Sequence, residues 1–253
     1  MKTVIYIFLL HLLFACSAQQ EGSNKELQDE KEVIDKGSLD LYYPYNYYDL
    51  KEVEEKDIYK VRIVSLTSMD LKSVPIELKR YTNIRLLSID HNSIASLPEW
   101  FLDFKKMNDL SCMDDSFEIL PNKITELKEL ERLNLNANKI TCLPDSIGRL
   151  RNLKLLFLIG NKLEKLPYNF RNLNNLIKLD LSANRFTSIP IEICYLKNIE
   201  YLKLEYNKIS DYPKEISRLS SLKYLDLTGN NLSDEKKEEL KLLLPNCQIT
   251  FEE

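Results

Sequence analysis

A 23-residue period runs through most of this chain and constrains its fold more than any other feature. Residues 130–152, LERLNLNANKITCLPDSIGRLRN, are matched by the 23 residues that follow them, LKLLFLIGNKLEKLPYNFRNLNN. Eight such units begin at Val61, Ile84, Met107, Leu130, Leu153, Leu176, Ile199 and Leu222. A chain with this period is a stack of similar small units, each of which buries its apolar face against its neighbours.

The units share the pattern L-x-x-L-x-L-x-x-N-x-L-x-x-L-P-x-x-I-x-x-L-x-x. Its L-x-L core alternates at period two, which predicts a short strand whose leucines face inwards. The proline prevents a second strand, and the I-x-x-L after it predicts a short helical or 3-10 turn. The pattern resembles the leucine-rich repeat, most closely the 23-residue class of Ras-suppressor and scribble-type proteins. This resemblance implies an α/β solenoid, a horseshoe with a curved parallel β-sheet on its concave face and the short turns on its convex face.

An asparagine column follows the strands, at the point where the chain is predicted to leave the sheet. Its members are Asn92, Asn138, Asn161, Asn184, Asn207 and Asn230. A buried amide there both donates to and accepts from backbone groups that neither sheet nor helix satisfies. Met69 and Asp115 break the column. Because an ionised carboxylate accepts but cannot donate, the third unit is predicted to be a weak point of the stack.

The first residues, MKTVIYIFLLHLLFACSAQQ, have the composition of a secretory signal peptide that is too short to be a lasting membrane span. Within them, the sequence Leu-Phe-Ala-Cys at 13–16 resembles the bacterial lipobox. The resemblance implies that Cys16 becomes the mature N-terminus and carries lipid. The alternative is cleavage after Ala18. We therefore expect an exported, membrane-anchored lipoprotein of the bacterial cell envelope, with a freely secreted protein as the alternative.

The predicted organisation has five parts. They are a signal peptide at 1–15, a flexible tether at 16–40, an N-terminal cap at 41–60, eight repeats at 61–232 and a C-terminal cap at 233–253. The tether is polar and acidic, whereas the tyrosine-rich segment at 42–48 is predicted to cover the open end of the stack. An exposed aromatic binding strip is the alternative for that segment. At the other end, Ser233 is predicted to start a helix that runs to Leu244, and residues 248–251 to form an edge strand.

The composition argues against several classes of function. A net charge of -4 and a pI near 5.5 give no general attraction to nucleic acid. The five glycines form no phosphate-binding pattern, so no nucleotide cofactor is expected. With two histidines in the chain, zinc chemistry and most histidine-dependent catalysis have no basis. His91 lies beside Asp90, but a lone pair of this kind without a nucleophile is not a catalytic triad.

The cysteines and the acidic residues of the third unit give no metal site either. Cysteines 112, 142, 194 and 247 show no C-x-x-C spacing, so neither a disulfide framework nor a metal centre is expected. Cys112 occupies a leucine position and is predicted to be a small buried hydrophobe. Asp109, Asp114 and Asp115 are interpreted as a solvated acidic patch rather than a calcium site, because no calcium-binding loop accompanies them.

The strand positions between the leucines predict where a ligand binds, because these positions vary without cost to the core. In the fifth unit they hold Leu155, Phe157 and Ile159, three apolar side chains that face outwards. The next three strands add Lys178, Asp180, Tyr201, Lys203, Glu205, Tyr224 and Asp226. An apolar centre with aromatic and charged neighbours is typical of a protein-binding hot spot. These ten residues are called the concave patch below.

The sequence therefore predicts a non-enzymatic module that is displayed from a membrane and binds a protein or peptide on its concave sheet. We expect the chain to be monomeric. The alternative is a structural or adhesion protein of the envelope that acts by self-association.

Overall fold

Nine short parallel strands form one sheet within residues 59–252, the part of the chain that the computed structural model describes. They are β1 (Ile63–Ser65), β2 (Leu86–Ser88), β3 (Asp109–Ser111), β4 (Arg132–Asn134), β5 (Leu155–Phe157), β6 (Lys178–Asp180), β7 (Tyr201–Lys203), β8 (Tyr224–Asp226) and β9 (Gln248–Thr250). The strands pair in chain order, so each one adds to the edge left by its predecessor. This order confirms the predicted α/β solenoid.

The 23-residue period sets the strand register. Leu133 pairs with Leu156, and Leu156 pairs with Leu179, so equivalent residues of successive units lie side by side. The central residue of each repeat strand is buried, while the residues on either side of it face the concave surface. Every outward position of the repeat therefore becomes a row of side chains that runs across the sheet.

In each unit, one residue with positive φ follows the strand, at the point where the chain turns out of the sheet. These residues are Ser68, His91, Asp114, Ala137, Gly160, Ala183, Tyr206 and Gly229, with φ between 52° and 69°. Glycine adopts this conformation freely, whereas a side chain makes it cost about 1 kcal/mol. A bulky residue in this column therefore marks a position where another requirement outweighs backbone preference.

On the convex side, each of the first seven units forms one 3-10 helix of five residues, which confirms the predicted short turns. The helices span Ile76–Arg80, Glu99–Asp103, Asn122–Glu126, Asp145–Arg149, Tyr168–Asn172, Ile191–Tyr195 and Lys214–Arg218. Each begins directly after the repeat proline, whose φ lies between -60° and -74°. The fixed φ of proline suits the first position of such a turn.

Tyrosine and arginine side chains stack across three of these turns. The Arg171 guanidinium carbon lies 4.0 Å from the centroid of the Tyr168 ring and 4.1 Å from that of the Tyr195 ring. Arg218 lies 5.0 Å from the same Tyr195 ring. A cation over an aromatic face contributes about 0.5–1 kcal/mol at exposed sites. The stack therefore links neighbouring units on the convex face.

The inward side chains form one continuous core along the solenoid. The central strand leucines Leu133, Leu156 and Leu179 have no exposed surface. Cys112 is also fully buried in its leucine position, which confirms its prediction as a small hydrophobe. Because the core is made by the inward positions alone, the concave positions are free to serve binding.

The asparagine column forms a hydrogen-bonded ladder, as predicted. Asn161 Oδ1 accepts from the Ile140 N–H at 3.0 Å, and its Nδ2 donates to the Leu135 carbonyl at 2.9 Å and to the Leu158 carbonyl at 3.0 Å. The same bonds recur at Asn92, Asn138, Asn184, Asn207 and Asn230. Each amide therefore satisfies backbone groups of two neighbouring units.

A helix and a strand close the C-terminal end of the described chain. Helix α1 spans Asp234–Leu243, and the Ser233 side chain accepts from the Lys236 N–H at 3.3 Å. Leu244, where the helix was predicted to end, is its C-cap residue. Strand β9 pairs in parallel with β8. The structure therefore has both elements that the sequence predicted after the last repeat.

Several predictions concern residues outside 59–252. The signal peptide, Cys16, the tether at 16–40 and the tyrosine-rich segment at 42–48 all lie there, as does nearly all of the predicted N-terminal cap at 41–60. At the start of the described chain, the Tyr59 carbonyl accepts from Asn83 Nδ2 at 2.8 Å, which joins it to the first unit. Between residues 59 and 252, none of the helices has the length and apolar character required to cross a bilayer.

Candidate functional site

The ten predicted residues of the concave patch lie on one face of four adjacent strands, β5 to β8. Strand register aligns Leu155 with Lys178, Tyr201 and Tyr224 in one row across the sheet. The next row contains Phe157, Asp180, Lys203 and Asp226. Ile159 and Glu205 hold the following outward position, directly after their strands. The structure thus brings the predicted residues together, although their contact with a ligand stays a prediction.

Strand β5 supplies the apolar centre of the patch. Leu155 and Phe157 are half-buried, and so is Ile159 beyond the strand end. The Phe157 ring lies between two cations, with Arg132 Cζ at 5.6 Å and Lys178 Nζ at 5.3 Å from its centroid. These contacts hold the ring in place before any partner binds. An ordered aromatic side chain loses less conformational entropy on binding than a mobile one.

The charged residues of the patch form an internal network around Lys203. Its ammonium group lies 3.2 Å from Glu205 Oε2, and the side chains are 25% and 23% exposed. Burial alone would lower the pKa of Lys203, but the hydrogen bond and charge of Glu205 outweigh it and raise that pKa. Ser182 Oγ donates to the same carboxylate at 3.2 Å. These contacts fix the position of both charges before a partner binds.

Two carboxylates of the patch are largely buried. Asp180 and Asp226 are each 5% exposed, and each accepts from the backbone N–H two residues later at 3.1 Å. Burial raises the pKa of Asp180. The Tyr224 hydroxyl donates to Asp226 Oδ2 at 2.7 Å, and this bond raises the pKa of Tyr224. These carboxylates therefore present little surface of their own, and they orient neighbouring side chains.

Tyr206 is a candidate site residue that the sequence analysis missed. It is 53% exposed and has φ of 52° in a column where Ala137, Gly160 and Ala183 stand in the preceding units. Its ring covers Gly229, where an added Cβ would lie 2.6 Å from Tyr206 Cδ1. The sequence carried a signal, because Tyr206 is the one tyrosine in this column of the repeat.

Strands β3 and β4 are polar on the concave face. Arg132 Nη1 donates to Asp109 Oδ2 at 3.2 Å, and Asn134 Nδ2 donates to Ser111 Oγ at 3.0 Å. Burial raises the pKa of Asp109 even though Arg132 opposes the shift. Polar side chains that satisfy one another offer little to an apolar partner. On the concave face, the strand tyrosines lie on β7 and β8, whereas half-buried apolar side chains lie on β5 and also on β1 and β2, at Ile63 and Leu86.

The described residues contain no cluster of side chains suited to a metal ion. Between residues 59 and 252, no three His, Cys, Asp or Glu side chains cluster as metal ligands would. His91 Nδ1 lies 3.0 Å from Asp114 Oδ2 in an exposed pair. Burial raises the pKa of Cys194 to about 12 and that of Cys247 to about 11, which keeps both thiols protonated and unreactive.

Two shallow depressions lie away from the concave patch. One is at the C-terminal cap, between Lys237, Lys241 and Phe251, and the other is on the flank beside Ile191 and Tyr212. Neither includes a residue of the concave patch. The patch spans four adjacent strands of an open sheet, and broad surfaces of this kind suit macromolecular partners better than small molecules.

Comparisons with known proteins agree with this architecture. The family model described as Leucine rich repeat matches residues 128–186 and 174–232. A search of curated protein sequences returned no match. Among solved structures, the chain is similar to a leucine-rich repeat protein from Leptospira interrogans, with 31% identity and a TM-score of 0.68. That match covers 81% of this chain and 57% of the Leptospira chain.

Two further structures are similar. The first is the leucine-rich repeat ectodomain of a plant membrane receptor kinase from Arabidopsis thaliana, in complex with Casparian strip integrity factor 2. It is 27% identical with a TM-score of 0.56, and the match covers 63% of this chain but only 20% of the ectodomain chain. The second is internalin C2 from Listeria monocytogenes, at 22% identity and a TM-score of 0.69 over 79% of this chain and 84% of that one. This last likeness concerns the fold alone.

Proposed function

Because this chain is a leucine-rich repeat protein, we propose that it is a non-catalytic binding module whose protein or peptide ligand contacts the concave patch. Leucine-rich repeat domains commonly bind proteins. The ectodomain of the plant receptor kinase, which is similar in fold, was solved in complex with another factor. The proposal for this chain rests on its own surface chemistry, since it spans 57% of the Leptospira protein and 20% of the plant ectodomain.

The observation that carries the proposal is the apolar strand β5 at the centre of the concave sheet. Leu155, Phe157 and Ile159 keep part of their surface exposed, although the repeat allows polar residues at all three positions. The fourth unit illustrates this freedom, because its outward residues are Arg132, Asn134 and Asn136. Partly exposed apolar side chains are common anchors of protein interfaces, and tyrosines lie two and three strands further along the same sheet.

The residues around strand β5 support a specific interface rather than a surface for non-specific hydrophobic binding. Tyr201 and Tyr224 lie in the same row as Leu155, and tyrosine combines a large apolar area with a polar tip. The Lys203–Glu205 pair is already formed at 3.2 Å, so a partner does not have to order it. Charged groups that are fixed in advance contribute selectivity more than affinity.

We also propose display from the bacterial envelope through a lipid on Cys16. The support is the leader sequence, in which the lipobox-like residues 13–16 follow an apolar run. Two or three acyl chains give stable membrane anchoring, at about 0.8 kcal/mol per buried CH₂ group. The polar residues between Cys16 and the repeats would then connect the anchor to the binding module.

Site-specific photocrosslinking tests the position of the ligand. A photoreactive phenylalanine analogue is placed at Lys178 in the concave patch and, as the matched control, at the exposed Lys197 on the convex side. In cells that make the protein natively, we expect one discrete crosslinked product from position 178 and none from position 197. Crosslinks from position 197 alone would place the ligand on the other face. A product that contains two copies of this chain would favour self-association instead.

A further inference from the structure

The third unit carries a carboxylate where the ladder uses an amide. Asp115 is only 7% exposed, and its Oδ1 accepts from the Ile94 N–H at 3.0 Å. In the next unit, Asn138 Oδ1 makes the equivalent bond with the Phe117 N–H, also at 3.0 Å. Asp115 therefore occupies the same position as the asparagines of the ladder, and its second carboxylate oxygen takes the place of their amide nitrogen. That atom, Oδ2, is buried and has no hydrogen-bond partner.

The groups that surround Oδ2 are acceptors. The amide nitrogen of the ladder donates to carbonyls that precede it by 26, 3 and 2 residues, as Asn138 shows. For Asp115 the equivalent carbonyls belong to Ile89, Cys112 and Met113. Each of these carbonyls already accepts a hydrogen bond from another donor. For example, Asn138 Nδ2 donates to the Cys112 carbonyl at 2.7 Å. The carbonyls are thus satisfied, and an ionised Oδ2 has only oxygen neighbours in this register.

The charged groups near Asp115 do not compensate it. Asp90 of the second unit and Asp114 of its own unit both add negative charge, and the fourth unit contributes the neutral amide of Asn138. His91 pairs with Asp114 at 3.0 Å. The buried thiol of Cys112 stays protonated because burial raises its pKa. Burial and these carboxylates together raise the pKa of Asp115 to about 6.

We propose that Asp115 makes the third unit a proton-sensitive element of the solenoid, tight when its carboxyl is neutral and loosened when it ionises. A protonated Oδ2 can donate to the ladder carbonyls as the asparagine amide does. An ionised Oδ2 is a buried charge without a donor. Because the folded-state pKa is raised, the stabilising effect is complete below pH 3.8 and is lost as the pH rises through about 6.

The position of Asp115 gives this change a consequence for the concave face. Strand β3 of the same unit pairs with β2 on one side and β4 on the other. The Asp109–Arg132 ion pair crosses from β3 to β4, and Arg132 also lies over the Phe157 ring. Loosening of the third unit therefore affects the junction between the first two units and the units that carry the concave patch.

Hydrogen–deuterium exchange of the full chain between pH 5 and pH 7.5 tests this proposal, with rates corrected for the intrinsic pH dependence of exchange. We expect protection of residues 89–117 to fall about tenfold as the pH rises from 5 to 7. The ceiling is about a hundredfold, because the carboxyl has a pKa of 3.8 when unfolded and about 6 when folded, and this difference limits the linkage to that factor. Residues 199–225 serve as the internal reference and should show no such fall.

Three variants identify the group responsible. Asp115→Asn restores the ladder amide and should hold protection of residues 89–117 at the pH 5 level throughout. His91→Gln removes the imidazole that pairs with Asp114 and should leave the wild-type pH dependence unchanged. Asn138→Asp, which leaves Asp115 in place, should extend the same pH dependence to the fourth unit. The proposal is overturned if the wild type shows no pH dependence, if Asp115→Asn retains it, or if His91→Gln abolishes it.

Discussion

Replacement of Asn161 by alanine should destabilise the solenoid by an amount that follows from the ladder bonds. The Asn161 side chain is the acceptor for the Ile140 N–H at 3.0 Å, so Asn161→Ala leaves that buried amide without a partner. The carbonyls to which the Asn161 side chain donates each keep another donor in the variant. Leu135 O also accepts from Asn138 Nδ2 at 3.2 Å, and Leu158 O accepts from Asn184 Nδ2 at 2.9 Å.

The expected loss is therefore dominated by one orphaned donor. An unpaired buried amide costs about 1–3 kcal/mol, while each bond lost from a carbonyl that keeps another donor costs about 0.5 kcal/mol. We expect Asn161→Ala to lower the free energy of unfolding by about 2–4 kcal/mol. The matched control is Asn152→Ala, which removes an exposed asparagine whose Nδ2 donates to the Lys128 carbonyl at 2.9 Å. Its cost should stay below about 0.5 kcal/mol.

Urea unfolding measures both variants. Far-ultraviolet circular dichroism follows the whole solenoid, and the single tryptophan, Trp100, reports on the second unit. Long repeat arrays can lose cooperativity, so a free energy is extracted only where the two probes coincide. Equal effects of the two alanine substitutions, or an Asn161→Ala effect below about 1 kcal/mol, would show that the ladder does not stabilise the fold as described.

Three further predictions concern other parts of the chain. Gly148→Ala should lower thermal stability more than Gly160→Ala, because a Cβ at Gly148 would lie 1.9 Å from the Asn169 carbonyl oxygen. The expected costs are about 2–3 kcal/mol from overpacking and about 1 kcal/mol from the positive φ of Gly160; equal melting temperatures would contradict this. Arg171→Ala removes the cation between two tyrosine rings and should cost about 1–2 kcal/mol in urea unfolding, whereas an unchanged midpoint would show the stack to be incidental. Cys16→Ser should release the protein from the membrane fraction and change its mobility in gels, and a variant that stays membrane-bound with unchanged mobility would refute lipidation.

Much of the fold was predictable because the repeat couples sequence position to geometry. With all units 23 residues long, the alignment of Leu133, Leu156 and Leu179 in the sequence becomes their alignment in the sheet. The asparagine ladder was predictable for the same reason, since a polar residue at one fixed position of every unit needs a partner at a fixed place. The break at Asp115 was also visible in the sequence, but the sequence did not show that its buried Oδ2 has no hydrogen-bond partner.

The sequence predicted which residues form the candidate site, but not how much of each side chain is exposed. The sequence placed Asp180 and Asp226 among the outward positions, yet both are 5% exposed because neighbouring strands pack side chains against them. Outward direction alone does not fix how much surface remains free. The sequence also offered no structural role for Phe157, whereas the ring lies between Arg132 and Lys178. Contacts between neighbouring side chains depend on rotamers, which the repeat pattern does not specify.

The central claim is that the concave patch binds the ligand. It is tested most directly by the affinity of the crosslinked partner for the double variant Phe157→Ala with Tyr201→Ala. The matched control is Tyr168→Ala, which removes a tyrosine that is 66% exposed on the convex face. Two anchor residues at an interface contribute at least about 2 kcal/mol, so we expect affinity to fall about thirtyfold or more in the double variant and not to change in the control. Unchanged affinity in the double variant, or an equal loss in Tyr168→Ala, would contradict this account.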